Sequence, residues 1–159
     1  MKNKLLALLR LSLGWTMFWA FIDKLFGLGF TTVVEKSWLN GGSPTSGFLE
    51  FGTKGPLAEL FQSLAGCVFV DWLFMIGLLL IGLCFIVGIG MKVASYSGAT
   101  MMILMWLAAM FPEHNPFMDE HIIYALLFIY LAKADAGKYW GLGVWWSKQN
   151  IVKKYKWMQ

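Results

Sequence analysis

The sequence predicts an all-α integral membrane protein, a four-transmembrane-helix bundle with an outer loop containing a short amphipathic helix and an interfacial, Trp/Lys-rich C-terminal tail. Three observations predict it. Of the 159 residues 58% are hydrophobic and only 14% charged, whereas soluble domains average about a quarter charged. Aromatic residues make up 17%, and they concentrate where membrane helices meet the headgroup layer. Four apolar stretches approach the ~20 helical residues needed to cross hydrocarbon.

The elements follow in order along one membrane domain, residues 1–159. A first span runs over about 5–30, with Arg10 near its start and Asp23-Lys24 toward its end. Arg10 interrupts the initial apolar run and the pattern continues past Ala20, so the segment reads as a retained span rather than a secretory signal. An outer loop occupies 31–71, where Asn40-Gly41-Gly42-Ser43-Pro44-Thr45-Ser46-Gly47 is a strong turn signal. Within it Pro56 suits a first helical turn, and Leu57, Leu60, Phe61 and Leu64 recur at helical spacing. The second span, 72–91, contains no charge and is closed by Lys92; the third, 93–111, is ended by Pro112. Ala94/Gly98 and Ser95/Ala99 place small residues four apart in that third span, which favours close helix packing. The fourth span covers 121–139, and the tail 140–159 mixes Trp145, Trp146, Tyr155 and Trp157 with lysines in the manner of an interfacial segment.

Charge placement orients this bundle. Lys2, Lys4, Arg10, Lys92 and every lysine from Lys133 onward fall on one face, against Lys24, Lys36 and Lys54 on the other. The positive-inside rule then puts both termini in the cytoplasm of a multi-pass protein of the plasma or inner membrane. The net charge of +4 comes from this clustering rather than from a basic patch on a soluble fold, so nucleic acid is not an expected partner. Cys67 and Cys84 show no CxxC spacing; Cys84 reads as a small apolar packing residue, whereas Cys67 stands near an aqueous boundary and is assigned no role. There is no haem, flavin or iron–sulfur motif and no ligand-spaced cluster for a metal.

Candidate chemistry gathers on the face bearing the long loop. Trp15, Trp19 and Asp23 share a stripe at four-residue spacing, so an aromatic wall leads up to a carboxylate and its neighbour Lys24. The loop before the fourth span carries His114, Asn115, Asp119 and His121. Boundary ionisable groups beside an apolar cleft suit proton exchange with a lipid-soluble substrate such as a quinone. On that reading Asp23, Lys24, His114 and His121 are candidate catalytic residues, and Trp15, Trp19, Trp38 and Asn115 candidate quinone contacts. A plainer account makes the histidines loop and capping residues and the Asp23-Lys24 pair helix-end charges. At the opposite face Arg10 and Asp135 stand at comparable depth and are expected to form a structural ion pair.

Arg10, Gly14 and Lys24, the segment Trp38-Leu39-Asn40-Gly41-Gly42-Ser43-Pro44-Thr45-Ser46-Gly47-Phe48-Leu49, Thr53-Lys54-Gly55-Pro56-Leu57, Asn115-Pro116-Phe117 with Asp119 and His121, and Gly137 with Trp140-Gly141-Leu142 together resemble the DoxD-like branch of the DoxX superfamily. Gly143 stands where that family often carries an Asp. The resemblance implies a four-helix membrane bundle and a membrane subunit of a quinone-linked oxidoreductase, as in thiosulfate:quinone oxidoreductase, which couples thiosulfate to tetrathionate and passes electrons to membrane quinone with a second subunit. The rival expectation is a noncatalytic accessory or scaffold subunit packed against a larger membrane complex, using its loop and tail as docking surfaces. A carrier is disfavoured because the chain shows no internal repeat.

Overall fold

A computed structural model describes residues 2–112, 115 and 117–158, and among them the fold is all-helical, with no strand beyond a single bridge between Lys54 and Ala109. Four long helices form the body: α1 (Lys2–Phe26), α3 (Val68–Val87), α4 (Met91–Ala108) and α5 (Glu120–Lys133). A one-turn helix α2 (Ala58–Gln62) lies in the long loop, and α6 (Gly143–Trp146) and α7 (Asn150–Lys154) lie in the tail. Helices α1 and α3 are long and apolar enough to cross a membrane. α5, at 14 residues, spans ~21 Å at 1.5 Å per residue, less than the ~30 Å hydrocarbon thickness.

Local chemistry ends each helix where it does. α1 stops at Phe26 rather than Phe30 because Gly27 takes a left-handed conformation (φ 69°). α3 starts at Val68, four residues before the expected Trp72, and so contains Asp71 in its first turn, where a carboxylate complements the helix dipole. It ends at Gly88 (φ 82°), whose N–H bonds the Cys84 carbonyl at 2.8 Å while Ile89 N–H reaches the same oxygen at 3.2 Å, a Schellman closure. α4 ends at Ala108, short of Pro112, where Lys54 N–H donates to the Ala108 carbonyl at 2.8 Å. The fourth helix ends at Lys133, six residues before the expected limit, because Asp135 turns left-handed (φ 51°) and the chain continues as a tighter turn over Ala136–Lys138.

Packing runs α1 on α3, α3 on α4 and α4 on α5. One apolar core joins all four: Leu13 and Met17 of α1, Leu78, Ile81 and Phe85 of α3, Met91, Ala99 and Met102 of α4, and Ala125, Phe128 and Leu131 of α5. Phe85 and Phe128 meet edge to face at 5.0 Å. Glycines bring the backbones together. A methyl group on Gly82 would lie 2.7 Å from the Phe18 nitrogen and 2.9 Å from its Cα. On Gly98, within the small-residue seam of α4, it would lie 2.7 Å from the Phe128 ring.

Gly82→Ala therefore pushes on backbone that cannot rotate away, and is expected to destabilise the protein by about 2–3 kcal/mol. Thermal unfolding followed by helical circular dichroism checks this; an unchanged midpoint would mean that α1 and α3 are free to separate. The helices alternate in direction, so the α1 C-terminus, the long loop, the start of α3, the end of α4 and the start of α5 form one end of the body, the loop end. The start of α1, Gly88, the start of α4 and the tail form the other, the tail end.

Candidate functional site

At the loop end, the Asp23 carboxylate is 1% exposed and accepts three hydrogen bonds. Phe30 N–H reaches Oδ1 at 3.2 Å; Thr31 N–H and Thr31 Oγ1 reach Oδ2 at 2.8 and 2.7 Å. Both oxygens are thus engaged in holding the turn that follows α1. The Thr31 hydroxyl in turn accepts from Lys24 Nζ at 3.4 Å. This turn places Phe30 on the aromatic stripe: Trp15 and Trp19 stand 5.6 Å apart and Trp19 meets Phe30 edge to face at 5.2 Å. The result is a continuous, partly exposed aromatic wall from the middle of α1 to a polar rim of Lys24 and Thr31.

A second carboxylate organises the long loop. Asp71, 6% exposed, accepts on Oδ1 from Ser43 Oγ at 2.8 Å, Thr45 Oγ1 at 2.5 Å and Thr45 N–H at 3.3 Å. Next to it Trp38 packs edge to face on Trp72 at 4.7 Å. Asp71 stands at the margin of the expected outer loop, and spacing alone assigns it no role. The signal available was an acid followed by an unbroken apolar run, downstream of a Ser/Thr-rich turn.

The head of α5 carries a histidine–carboxylate pair. Asp119 has extended backbone and caps the helix, its Oδ1 accepting from His121 N–H at 3.1 Å and Ile122 N–H at 3.3 Å. Its other oxygen, Oδ2, lies 2.7 Å from His121 Nδ1, and the two side chains are 11% and 17% exposed. With Asp119 ionised, Nδ1 donates and Nε2 is the proton-accepting nitrogen of the neutral ring. Among the described residues Nε2 has no hydrogen-bond partner. Asn115 Oδ1 accepts from Phe117 and Met118 N–H at 3.0 and 2.9 Å, and Trp106 Nε1 holds the Phe117 carbonyl at 2.8 Å, so this loop is pinned to α4. His114 lies outside the described residues.

The structure thus brings Trp15, Trp19, Asp23 and Lys24 into one site on α1. Trp38 stands beside Trp72 and Asp71, while Asn115 and His121 belong to the α5 loop. Among the described residues no hydrogen bond, ion pair or ring contact joins the α1 site to His121.

At the tail end the expected Arg10–Asp135 ion pair does not form. Arg10 is fully buried and its guanidinium donates to four backbone carbonyls: Phe85, Ile86 (2.9 Å), Tyr139 (3.2 Å) and Trp140 (3.0 Å). Asp135 instead bonds Lys138 Nζ at 2.6 Å on the surface. The reason is geometric. The left-handed turn at Asp135 carries its side chain to solvent, whereas the α3 C-terminus offers carbonyls with partial negative charge to a buried cation.

No family model, curated protein or solved structure matches the chain.

Proposed function

We propose that the chain is a four-span membrane subunit of a DoxD-like, quinone-linked oxidoreductase, with both termini in the cytoplasm and the loop end outside. The observation that carries this reading is the Trp15–Trp19–Phe30 wall ending at the Lys24–Thr31 rim. A planar ring stacks on such a wall, and an ammonium at its edge stabilises negative charge developing on a quinone oxygen. Asp23 positions the site by fixing the Phe30–Thr31 turn, both its oxygens being committed to that turn. The His121–Asp119 pair exchanges protons with water at the same face. Two electrons from a donor subunit and two protons convert quinone to quinol; with thiosulfate as donor, two thiosulfates yield tetrathionate and those two electrons.

The test is quinone binding and reduction by the complex purified with its native partner. Trp19→Ala is expected to raise the quinone KM about fivefold to tenfold, the worth of one aromatic contact. Lys24→Met is expected to lower kcat about a hundredfold, and His121→Gln to slow proton-coupled turnover about a hundredfold. Unchanged kinetics in all three would refute the site.

A second reading, a noncatalytic accessory subunit, is favoured by one observation. The carboxylates of Asp23 and Asp71 and the terminal nitrogens of Arg10 are held by the chain's own loops and backbone, as in a scaffold. Fixed co-purification stoichiometry with a larger complex, and no quinone in this chain, would select it.

A further inference from the structure

The short helix α2 is held across the loop end of the body rather than along it. Before it, Lys54 N–H bonds the carbonyl of Ala108, the last residue of α4, at 2.8 Å. After it, Cys67 N–H bonds the Leu64 carbonyl at 3.1 Å, and the Cys67 carbonyl accepts from Val70 and Asp71 in the first turn of α3. Both ends of α2 are therefore fixed at one level. At about 100° per residue, Leu57, Leu60, Phe61 and Leu64 fall within one arc, and Glu59, Gln62 and Ser63 fall opposite. Each arc reaches the surface: Leu60 is 59% and Leu64 37% exposed, and the three polar residues are exposed as well. Past an elbow at Gly66 (φ 72°) the apolar exposure continues through Val68, Phe69, Trp72, Ile76 and Leu80 of α3. With 20 residues, α3 spans ~30 Å at 1.5 Å per residue, the hydrocarbon thickness itself. A span of that length puts Val68 at the hydrocarbon boundary and α2 at headgroup level.

We propose that α2 is a surface foot lying in the interfacial layer of the leaflet at the loop end, with Leu60 and Leu64 seated in lipid and Glu59, Gln62 and Ser63 turned to water. The inference rests on the membrane reading given above and is independent of the quinone chemistry. Two observations select a lipid surface over a protein partner. The exposed apolar side chains of α2 are two leucines, far short of the ~800 Å² per partner of a specific protein interface, whereas a bilayer takes up apolar side chains without a matching shape. They also continue the face that α3 turns to hydrocarbon, and Trp72, exposed in the second turn of α3, lies at the depth of an aromatic belt.

The experiment places the full chain, carrying Cys67→Ser and Cys84→Ser, in phosphatidylcholine liposomes with one nitroxide label at Leu60→Cys, Leu64→Cys, Gln62→Cys or Ile76→Cys. Power saturation compares access by oxygen, which concentrates in hydrocarbon, with access by a nickel chelate, which stays in water. Oxygen is expected to dominate at Ile76 and, at a shallower depth, at Leu60 and Leu64; the nickel chelate is expected to dominate at Gln62. The two leucine positions sample the same arc, so either one alone decides the result if the other variant misfolds. Nickel dominance at the leucines, with oxygen still dominant at Ile76, would overturn the foot and leave the membrane reading intact. Leucine labels reached by neither reagent would set α2 against protein and overturn it equally. Nickel dominance at Ile76 would overturn both readings.

Discussion

Replacing Arg10 by leucine is expected to destabilise the protein by about 3–5 kcal/mol, the range for removing one partner from a buried charged network. A guanidinium taken from water into a low-dielectric interior is costly unless its donors are met. Here the two terminal nitrogens are met by the last carbonyls of α3, Phe85 and Ile86, and by Tyr139 and Trp140 beyond α5, while the buried Nε has no partner among the described residues. A single side chain therefore ties α1 to the ends of two other helices. The surrounding backbone is built close around it. A Cβ on Gly88 or Gly141 would come within 3.2 Å of the guanidinium nitrogens, so neither position has room for a larger residue. In Arg10→Leu the four carbonyls lose their donor, and the buried one, that of Phe85, costs on the order of 1–3 kcal/mol when orphaned, the three part-buried ones less. Arg10→Lys keeps the charge but not the planar fork, and is expected to recover less than half of the loss. Chemical denaturation in detergent micelles measures both; a leucine variant within about 1 kcal/mol of wild type would mean that the carbonyls find other donors.

The second large effect is expected at Asp71. Three donors, Ser43 Oγ, Thr45 Oγ1 and Thr45 N–H, converge on one carboxylate oxygen. Hydrogen bonds to an ionised acceptor contribute about 1.5–3 kcal/mol each, without simple additivity. Asp71→Ala is expected to cost about 3 kcal/mol and to release the 43–49 segment from the head of α3. Asp71→Asn keeps an acceptor oxygen and is expected to lose roughly half as much. Amide hydrogen exchange distinguishes loop release from global unfolding: Thr45 and Leu49 lose protection while the α3 core retains it. Unaltered protection of Thr45 in the alanine variant would contradict the assignment. Because Trp38 packs on Trp72 beside this carboxylate, the same variant reports whether the loop's fixed geometry matters to partner binding.

The helices were legible in the sequence because burial in a low-dielectric setting leaves a long apolar run, and the cores of α1, α3 and α4 fall within the expected stretches. Their ends were less so. Asp71 looked like a boundary because a charge ordinarily marks one, yet a first-turn carboxylate bonded to a loop belongs inside the helix. The early end of α5 depends on a left-handed Asp135, a conformation that residue type alone does not announce. The Trp15–Trp19 wall was legible from four-residue spacing, but Phe30 joins it only through the Asp23 turn. Arg10 and Asp135 were matched by depth and opposite charge; a sequence pattern records side chains, and the acceptors Arg10 uses are backbone carbonyls. The Asp119–His121 pair escaped helical spacing rules because Asp119 caps the helix in an extended conformation, which lets residues two apart meet.

The measurement that bears most directly on the quinone reading is mass spectrometry of the lipid extract from intact purified protein, run on wild type, Trp19→Ala and Lys24→Met. The account predicts about one quinone per wild-type chain and a loss of about tenfold in the Trp19 variant, with the folded fraction unchanged. Wild-type protein free of quinone, in preparations that retain their other lipids, would contradict it.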